Sequence, residues 1–431
     1  MPRSRRRVLT AVVACLGLVL ALAAGELALR IVALFSAKVR YLSTAQDGPA
    51  PGRPTTLAAY LASRPEHLVP HREWFNHWTN ALGFNDEEFV VPKPLGRFRI
   101  MAVGDSFTYG SVPYPESVMT LLESSLRTAC QGRDLDLLNL GIGATGVRDY
   151  RTIVELASAT YEPDLVLINF YAGNDGPRRR LRARGLGRRL LDHSYLWGFT
   201  ESALRLRRSV PNPDALAEVA GGRVRGDRPA GGPRLGGRVV DPDRRLREDA
   251  PALTGPIFDD EAYTQILATE LRQLHVPEDP AAVERLWNPT LNELEAARVH
   301  VARRGGGRLV ITLYPSVLQV DSRLRTTLVE RLRSRQRHAD LRTGTIDPAL
   351  PNRIVLEYCR SRALSCFDLT PALVRASEQS ADPVYKTRDA HWTIRGNRVA
   401  AEAQTAYLAP LVCPEPAAPR GSTFPSAQPR R

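Results

Sequence analysis

The stretch Ile100-Met101-Ala102-Val103-Gly104-Asp105-Ser106 joins an apolar run directly to a small polar turn. The four apolar residues have the length and branching of a buried strand. A Gly-Asp-Ser turn at the carboxyl end of such a strand places the Ser106 hydroxyl at the edge of an α/β sheet where ligands usually bind. Glycine, aspartate and serine also suit ordinary turns, so the meaning of this stretch depends on the segments that follow it.

The chain on either side alternates apolar runs of strand length with segments of helical periodicity. This order predicts a three-layer α/β sandwich with a mostly parallel five-stranded sheet, contained in one domain over residues 96–411. The predicted strands cover residues 100–103, 135–140, 165–170, 309–314 and 365–369, and the predicted helices cover residues 115–131, 147–159, 281–304, 323–337, 354–362 and 396–411.

An arginine-rich segment, residues 176–255, interrupts this alternation. The formal net charge of the chain is +13, and residues 176–249, with 18 arginines and 9 acidic residues, contribute +9 of it. The segment shows neither interleaved aromatic residues nor a nucleic-acid-binding motif. We therefore expect a solvated, partly disordered insertion and no nucleic-acid partner.

The N-terminus has the features of a membrane anchor. Arg3, Arg5, Arg6 and Arg7 precede an uncharged run from Val8 to Gly25, and apolar residues continue to Phe35. Glu26 and Arg30 interrupt this continuation four residues apart, so on a helix they can pair at the membrane interface. The pattern predicts a single-pass helix in the cell membrane, with the basic end inside and the body periplasmic or extracellular.

Cleavage as a signal peptide is the alternative, because Ala21-Leu22-Ala23 resembles a signal-peptidase site. In the anchored interpretation, residues 1–37 form the cytoplasmic end and helix, residues 38–95 a stalk and entry loop, and residues 412–431 a disordered tail. Beyond the anchor, Cys130, Cys359, Cys366 and Cys413 permit disulfides in an exported protein. Cys359 and Cys366 are a plausible pair, and buried free thiols are the other interpretation.

Four short motifs, in order, resemble those of the SGNH (GDSL-type) hydrolase superfamily, whose sheet is flavodoxin-like. They are Gly104-Asp105-Ser106, the turn from Asn139 to Gly146, Gly173-Asn174-Asp175, and Asp389-Ala390-His391-Trp392. The resemblance covers roughly residues 98–411. It implies a serine hydrolase that needs no metal or organic cofactor.

The resemblance also implies roles for individual residues. Ser106 would be the nucleophile, His391 the base that takes its proton, and Asp389 the residue that orients His391. The oxyanion hole would be formed by the Ser106 backbone N–H, a backbone N–H of the Gly143-Ala144 turn, and the Asn174 amide. Asp105 would support the turn, and Asp175 would be structural.

Two departures from the commonest family pattern bear on this assignment. Ala144 occupies the position where the second turn usually has its oxyanion glycine, so Gly143 and Gly146 remain alternatives. The end motif is Asp-x-His-Trp rather than Asp-x-x-His, which is similar to the acetyl-handling SGNH-like proteins of bacterial exopolysaccharide modification.

The resulting expectation is an esterase that acts outside the cytoplasm on a small-molecule or glycan ester, including O-acyl groups of surface glycans. An O-acyltransferase with the same site and a non-catalytic anchored binding or assembly protein are alternatives. Gly141 to Gly146 also matches the dinucleotide pattern G-x-G-x-x-G. That interpretation leaves the Gly-Asp-Ser and Asp-x-His-Trp motifs without a role. A metallophosphoesterase site at Asp389 and His391 would need further histidine ligands, and the sequence has no H-x-H or H-E-x-x-H motif.

Overall fold

The computed structural model describes residues 3–36, 39, 54–64, 67–75, 77–131, 133–177, 194–200, 253–305, 307–333, 341 and 343–413. Its centre is a sheet of five parallel strands in the order β2-β1-β3-β4-β5. The strands are β1 (Phe98–Gly104), β2 (Leu135–Asn139), β3 (Leu165–Tyr171), β4 (Arg308–Tyr314) and β5 (Ser365–Asp368). All five predicted strands are therefore confirmed, and the sheet is parallel throughout.

Helices follow and flank these strands. In chain order they are α1 (Arg3–Phe35), α2 (Leu57–Ala62), α3 (Ser106–Tyr109), α4 (Val118–Ala129), α5 (Val147–Tyr161), α6 (Asp260–Gln273), α7 (Pro280–Arg303), α8 (Val317–Val320), α9 (Ser322–Arg333), α10 (Leu350–Ser361), α11 (Thr370–Gln379) and α12 (Ile394–Val412). A further helical stretch covers residues 195–200, and two-residue strands form small ladders at 73–74 with 77–78 and at 275–276 with 345–346.

The sheet is covered on both faces, which is why its strands are nearly continuous apolar runs. Along β1, Ile100 and Ala102 point into one core with α4, α6, α9, α11 and α12. Met101 and Val103 point into a second core with α2, α5, α7 and α10. The predicted three-layer α/β sandwich is thus confirmed.

Besides the four-residue helices α3 and α8, the sequence-based prediction missed two longer helices in the first of these layers, although each of the two carries a start signal. Asp259 caps α6 by accepting a hydrogen bond from the Ala262 backbone N–H at 2.7 Å. α11 begins with Thr370 followed by proline, a residue favoured in the first turn of a helix. Predicted helix ends elsewhere differ from the observed ones by a few residues; α5, for example, ends at Tyr161 rather than at residue 159. Residues 334–337 of the predicted helix 323–337 lie outside the described residues.

Part of the segment expected to be a stalk and entry loop belongs to the globular body. Tyr60, Leu61, Leu68 and Phe84 are buried in the second core. The Asn139 backbone N–H donates to the Asp86 carboxylate at 2.8 Å, which attaches the entry loop to the end of β2. Residues 38 and 40–53 lie outside the described residues, as does the predicted tail from residue 414 onward.

The described residues contain two disulfides, one between neighbouring elements and one between distant parts of the domain. Cys359 and Cys366 are bonded and link α10 to β5, which selects the paired interpretation over free thiols. Cys130 and Cys413 form a second bond across 283 positions, between the C-terminal ends of α4 and α12. That second pairing was not predicted, because two residues so far apart in sequence give no local signal.

The N-terminal helix is apolar enough to cross a membrane, most clearly over Leu16–Phe35. Its large apolar side chains are exposed in the described part of the protein, with Leu27 60% and Leu34 69% accessible. The predicted ion pair is present, since Arg30 Nε lies 2.7 Å from Glu26 Oε1.

Candidate active site

The turn after β1 presents a serine hydroxyl at the carboxyl edge of the sheet. Asp105 caps the short helix α3 by accepting a hydrogen bond from the Phe107 backbone N–H at 3.0 Å. Ser106 is the first residue of that helix. Gly104 is required because a Cβ there would lie 2.0 Å from Thr108 Oγ1. The sequence therefore forces a close turn that leaves the Ser106 side chain half-buried at the surface of the site.

The late Asp-x-His segment lies on a tight loop that reaches this serine. The Lys386 backbone N–H donates to the His391 carbonyl at 2.9 Å, and the Thr393 N–H donates to Val384 O at 3.0 Å. Tyr385 and Trp392 form the antiparallel bridge at its base. Asp389 and His391 consequently lie at the tip of the loop, immediately before α12.

The structure brings the three predicted triad residues together across 285 positions of sequence. His391 Nε2 lies 2.7 Å from Ser106 Oγ, and His391 Nδ1 lies 2.7 Å from Asp389 Oδ1. Asp389 also accepts the His391 backbone N–H at 3.3 Å. The side chain of His391 is 23% exposed and that of Asp389 only 6%. The hydroxyl, imidazole and carboxylate are therefore aligned for proton transfer from Ser106.

Burial and charge act in opposite directions on this pair. Burial lowers the pKa of His391, but the charge and hydrogen bond of Asp389 outweigh it, and the net shift is upward. Burial raises the pKa of Asp389, and the charge and hydrogen bond of His391 reverse this to a net lowering. The arrangement thus favours an ionised Asp389 and stabilises an imidazolium when His391 accepts a proton.

Trp392, the last residue of the end motif, has a packing role. It is 1% exposed, and its ring lies 4.8 Å from that of Phe107 and 4.7 Å from that of Tyr314. Phe107 is the neighbour of the nucleophile in sequence, and its ring is also 5.0 Å from that of His391. Trp392 therefore holds the histidine loop against α3.

Asn174 lies beside the nucleophile turn, as predicted. Its Nδ2 donates to Asp105 Oδ2 at 3.3 Å, so the same carboxylate that caps α3 orients the amide. Burial raises the pKa of Asp105 to about 6, with hydrogen bonds and the charge of His391 opposing the shift. An amide nitrogen carries two hydrogens, which leaves a second one for a ligand oxygen.

Asp175 has the structural role expected, because it accepts hydrogen bonds from Tyr150 Oη at 2.9 Å and Tyr171 N at 2.7 Å.

In the turn from Asn139 to Gly146, the backbone φ angles differ among the three candidate oxyanion residues. Ala144 has a φ of 56°, in the left-handed region that usually favours glycine, whereas Gly146 is extended at −156°. Gly143 has no positive φ. Holding an alanine in this region costs about 1 kcal/mol. Ala144 thus has the backbone conformation for which a glycine is commonly selected, and it is exposed to solvent.

The same turn contains the glycines that match the dinucleotide pattern. A Cβ on Gly141 would lie 2.3 Å from the Tyr109 backbone nitrogen. Asn139 reinforces the contact, because its Nδ2 donates to Thr108 O at 2.8 Å and its Oδ1 accepts from Gly141 N at 3.0 Å. Gly141 is therefore explained by close packing against α3, without a bound pyrophosphate.

Both ends of the arginine-rich insertion lie next to the site. The insertion begins two residues after Asn174, and it ends at Gly255, where a Cβ would lie 2.0 Å from Thr387 O. The Thr387 backbone N–H donates to Thr254 O at 2.7 Å, and Arg388 forms an ion pair with Asp260 at 2.9 Å. The returning chain therefore supports the histidine loop. Within the insertion, residues 178–193 and 201–252 lie outside the described residues, so the expected disorder stays a prediction.

Three features near the triad were not anticipated from the sequence. Glu270 on α6 is buried and accepts hydrogen bonds from Tyr171 Oη at 2.8 Å and Ser316 Oγ at 2.6 Å. Burial raises its pKa to about 7. Lys386 is buried with its ammonium on the Ser111 carbonyl, and burial lowers its pKa to about 8.

The third feature is the loop before β1, which extends to the C-terminal end of α3. Trp74 Nε1 donates to Gly110 O at 3.1 Å. Its ring lies 6.1 Å from that of Tyr109 and 5.1 Å from that of Phe75. A half-buried aromatic patch thus lies one helical turn from Ser106. The polar and aromatic composition of residues 74–89 was its only sequence signal.

Other possible binding features lie away from the triad. A cavity of about 610 Å³ lies beside β2, lined by Asp86, Tyr114, Glu123 and their neighbours. Burial raises the pKa of Asp86 to about 7. Within the described residues, no group of three or more histidine, cysteine, aspartate or glutamate side chains is arranged to hold a metal ion.

The fold and site together define a parallel three-layer α/β protein with a Ser-His-Asp arrangement at the carboxyl edge of its sheet. The chain matches no protein-family model and no curated protein. Among solved structures it is similar to a protein described as a G-D-S-L-family lipolytic protein from Desulfitobacterium hafniense, at 13% identity and a TM-score of 0.31 over 72% of this chain and 99% of that one.

Two further similar structures are esterases. A two-domain esterase active on acetylated mannans is 11% identical, with a TM-score of 0.32 over 72% of this chain and 49% of that one. The acetyl xylan esterase AlAXEase is 12% identical, with a TM-score of 0.30 over 72% of this chain and 98% of that one. Identities and TM-scores this low carry no argument about function, so any functional conclusion must rest on the geometry of the site.

Proposed function

We propose that the protein is a serine esterase that acts through an acyl-enzyme. The observation that carries the proposal is the hydrogen-bonded series from Ser106 Oγ to His391 Nε2 and from His391 Nδ1 to Asp389, with 2.7 Å at each step. An alcohol becomes a competent nucleophile when an adjacent imidazole takes its proton. The half-buried serine at the carboxyl edge of the sheet is open to an ester.

The reaction follows from these contacts. Ser106 Oγ attacks the ester carbonyl carbon while its proton passes to His391 Nε2, and the carbonyl oxygen becomes an oxyanion. The Ser106 and Ala144 backbone N–H groups and the Asn174 amide stabilise that charge. His391 then protonates the leaving alcohol as the bond to it breaks. Water, deprotonated by His391, then attacks the acyl carbon. As the bond from that carbon to Ser106 Oγ breaks, His391 returns the proton to Ser106 and the carboxylic acid is released.

Acyl transfer shares the first half of this sequence. A sugar hydroxyl in place of water would receive the acyl group and regenerate Ser106 in the same way. We propose hydrolysis of O-acyl esters, with surface glycans as the substrate class, on the basis of the Asp-x-His-Trp motif and the aromatic patch beside the triad. A non-catalytic binding protein is the alternative that the test below eliminates or selects.

We also propose that the catalytic domain lies outside the cytoplasm, anchored by α1. Four of the five cysteines form disulfides, which persist in oxidising compartments. The basic residues before Val8 favour retention of the N-terminal end inside the cell. Addition of protease to intact cells or spheroplasts should digest the domain, whereas a cytoplasmic marker should survive.

Covalent labelling with a fluorophosphonate tests the catalytic proposal. Wild-type protein should be labelled at Ser106, as located by mass spectrometry, and Ser106→Ala should not be labelled. Ser316→Ala is the matched control, because Ser316 is also hydrogen-bonded to a polar side chain but is fully buried. It should retain labelling. A folded wild-type protein that remains unlabelled would contradict the esterase and favour the binding protein.

A further inference from the structure

The membrane helix is in contact with a piece of the arginine-rich insertion. Glu26 on α1 accepts hydrogen bonds from Ser194 Oγ at 2.8 Å, Tyr195 N at 3.0 Å and Leu196 N at 2.9 Å. The two backbone donors belong to the first turn of the helical stretch 195–200, whose N–H groups have no partner within the helix. The Glu26 carboxylate therefore caps that stretch from another part of the chain.

Neighbouring contacts show that the two elements pack side by side. The Arg30 guanidinium that pairs with Glu26 also lies 4.7 Å from the centre of the Tyr195 ring. A Cβ on Gly25 would lie 3.7 Å from the Leu196 side chain, an ordinary packing distance. Along α1, the less exposed positions include Gly25, Glu26 and Leu29, which share one face of the helix. The other faces present exposed leucine, isoleucine and valine side chains.

The position of Glu26 relates this contact to the bilayer. The uncharged run from Val8 to Gly25 spans ~27 Å at 1.5 Å per residue, close to the ~30 Å of a hydrocarbon core. If Leu16–Phe35 crossed the membrane instead, Glu26 and Arg30 would lie inside the hydrocarbon core. With the uncharged run across the membrane, both lie at the interface, where their charges cost least, and we take this position for α1. The residues held by Glu26 are of the type found at this depth, because tyrosine and tryptophan are enriched at membrane interfaces.

Trp197 is the exposed tryptophan of the chain. It is 38% exposed, whereas Trp287 and Trp392 are almost fully buried and Trp74 and Trp78 are half-buried. We propose that residues 194–200 form a second membrane-contacting element, held against α1 by Glu26, with Trp197 in the lipid interface. The anchor of this protein then consists of two parts that are distant in sequence.

The contact between residues 194–200 and α1 also limits the distance between the candidate active site and the membrane. Ser194 follows Pro177 by 17 residues, and Pro177 lies three residues after Asn174. An extended chain covers at most ~3.5 Å per residue, so the Asn174 turn stays within ~70 Å of Glu26. The inference rests on contacts of α1 and residues 194–200, and is independent of the esterase proposal.

Disulfide cross-linking tests the contact between the two elements. The full chain carrying Cys15→Ser, which leaves only the disulfide-bonded cysteines, would be reconstituted in phosphatidylcholine–phosphatidylglycerol vesicles. Gly25→Cys with Leu196→Cys should cross-link under mild oxidation. Gly17→Cys with Leu196→Cys is the matched control, because a Cβ on Gly17 would contact nothing within 4 Å among the described residues. No cross-link in the first pair, or equal cross-linking in both, would overturn the contact.

Quenching of tryptophan fluorescence by brominated lipids tests the contact with the bilayer. Quenching of the wild type should be reduced several-fold by Trp197→Phe, and similarly by Glu26→Ala, which removes the cap. Circular dichroism would show that both variants remain folded. Quenching unchanged by Trp197→Phe would overturn membrane contact even if the cross-link forms, because the element would then lie against α1 outside the lipid.

Discussion

Two serines follow parallel strands of the same sheet, and only one of them is arranged for chemistry. Ser106 follows β1 and begins the four-residue helix α3, and Ser316 follows β4 and precedes the four-residue helix α8. Ser316 caps its own helix by accepting the Leu318 N–H at 3.1 Å, and it donates to Glu270 at 2.6 Å. At Ser106 the capping is done by Asp105, so the serine hydroxyl is left to His391.

The partners of the two serines differ as well. Ser106 meets an imidazole whose ordinary pKa lies near neutrality, and which can both accept and return a proton. Ser316 meets a carboxyl group that is itself buried with Tyr171, and its side chain is fully inaccessible. Under the proposed function, a hydroxyl near an acid–base group is thus not enough for catalysis. The hydroxyl must also be free of helix capping, accessible to solvent, and paired with a base of suitable pKa.

Replacement of each serine by alanine should give the largest contrast. Ser106→Ala should lower kcat for an ester substrate by ~10⁶-fold, because the nucleophile is lost. Ser316→Ala should leave kcat within a few-fold but lower the free energy of unfolding by ~1–3 kcal/mol, because a buried partner of Glu270 is lost. Initial rates and urea unfolding measure the two effects. A large kcat loss in Ser316→Ala with unchanged stability would contradict the distinction.

Replacement of the Asp389 and Glu270 carboxylates by amides should give the next largest difference in kcat. Asp389→Asn should lower kcat by ~10⁴-fold, because an amide no longer fixes the tautomer of His391 or stabilises its charged form. Glu270→Gln should change kcat far less, because Glu270 contacts Tyr171 and Ser316 rather than the triad. Steady-state kinetics on the same ester would compare them, and equal losses would show that Glu270 takes part in catalysis.

Removal of the Asn174 amide should have an intermediate effect. Asn174→Ala should lower kcat by ~10²–10³-fold, as expected for one oxyanion donor. The KM should change little, because the amide acts on charge that develops in the transition state. Asp175→Asn is the control for a purely structural effect, because Asp175 is the next residue of the same turn and accepts hydrogen bonds from Tyr150. This variant should mainly affect thermal stability.

The pH dependence of kcat/KM should report the raised pKa of His391. Neutral His391 is the active base, so activity should rise about tenfold per pH unit below its pKa and level off above it. Because Asp389 causes the upward shift, Asp389→Asn should move this limb to lower pH while lowering the plateau. A limb that does not move would show that another group controls it.

Glu270 should affect stability rather than rate as the pH changes. The pKa of Glu270, about 7 in the folded protein, exceeds the ordinary value of 4.5 for this side chain, so the folded state holds the proton more tightly than the unfolded chain. The free energy of unfolding of the wild type, relative to Glu270→Gln, should therefore fall as pH rises from about 4.5 to about 7 and then level off. Denaturant unfolding across that range measures it, and a difference that rises with pH would refute the assignment.

The sequence by itself determined the five-stranded parallel sheet, both faces of which are covered, because buried strands require continuous apolar runs. It also determined which turns meet at the carboxyl edge, since parallel strands bring successive turns to one side. Ser106 and Asn174 were found for that reason, whereas Asp389 and His391, on the loop between α11 and α12, were assigned from the resemblance of the Asp-x-His-Trp motif. The motifs at Ser106 and Asn174 are short, but the position of each after a strand can be recognised in the sequence.

Only the tertiary structure decided which partners the remaining polar residues have. Glu270 approaches Ser316 from a helix 46 residues earlier, and Cys130 pairs with Cys413 across most of the domain. Trp392 proved to be a packing residue, and Glu26 proved to cap a segment 168 residues away. Such pairings depend on where whole elements pack in space. The residues next to each partner in sequence do not indicate these pairings, so only the tertiary structure shows them.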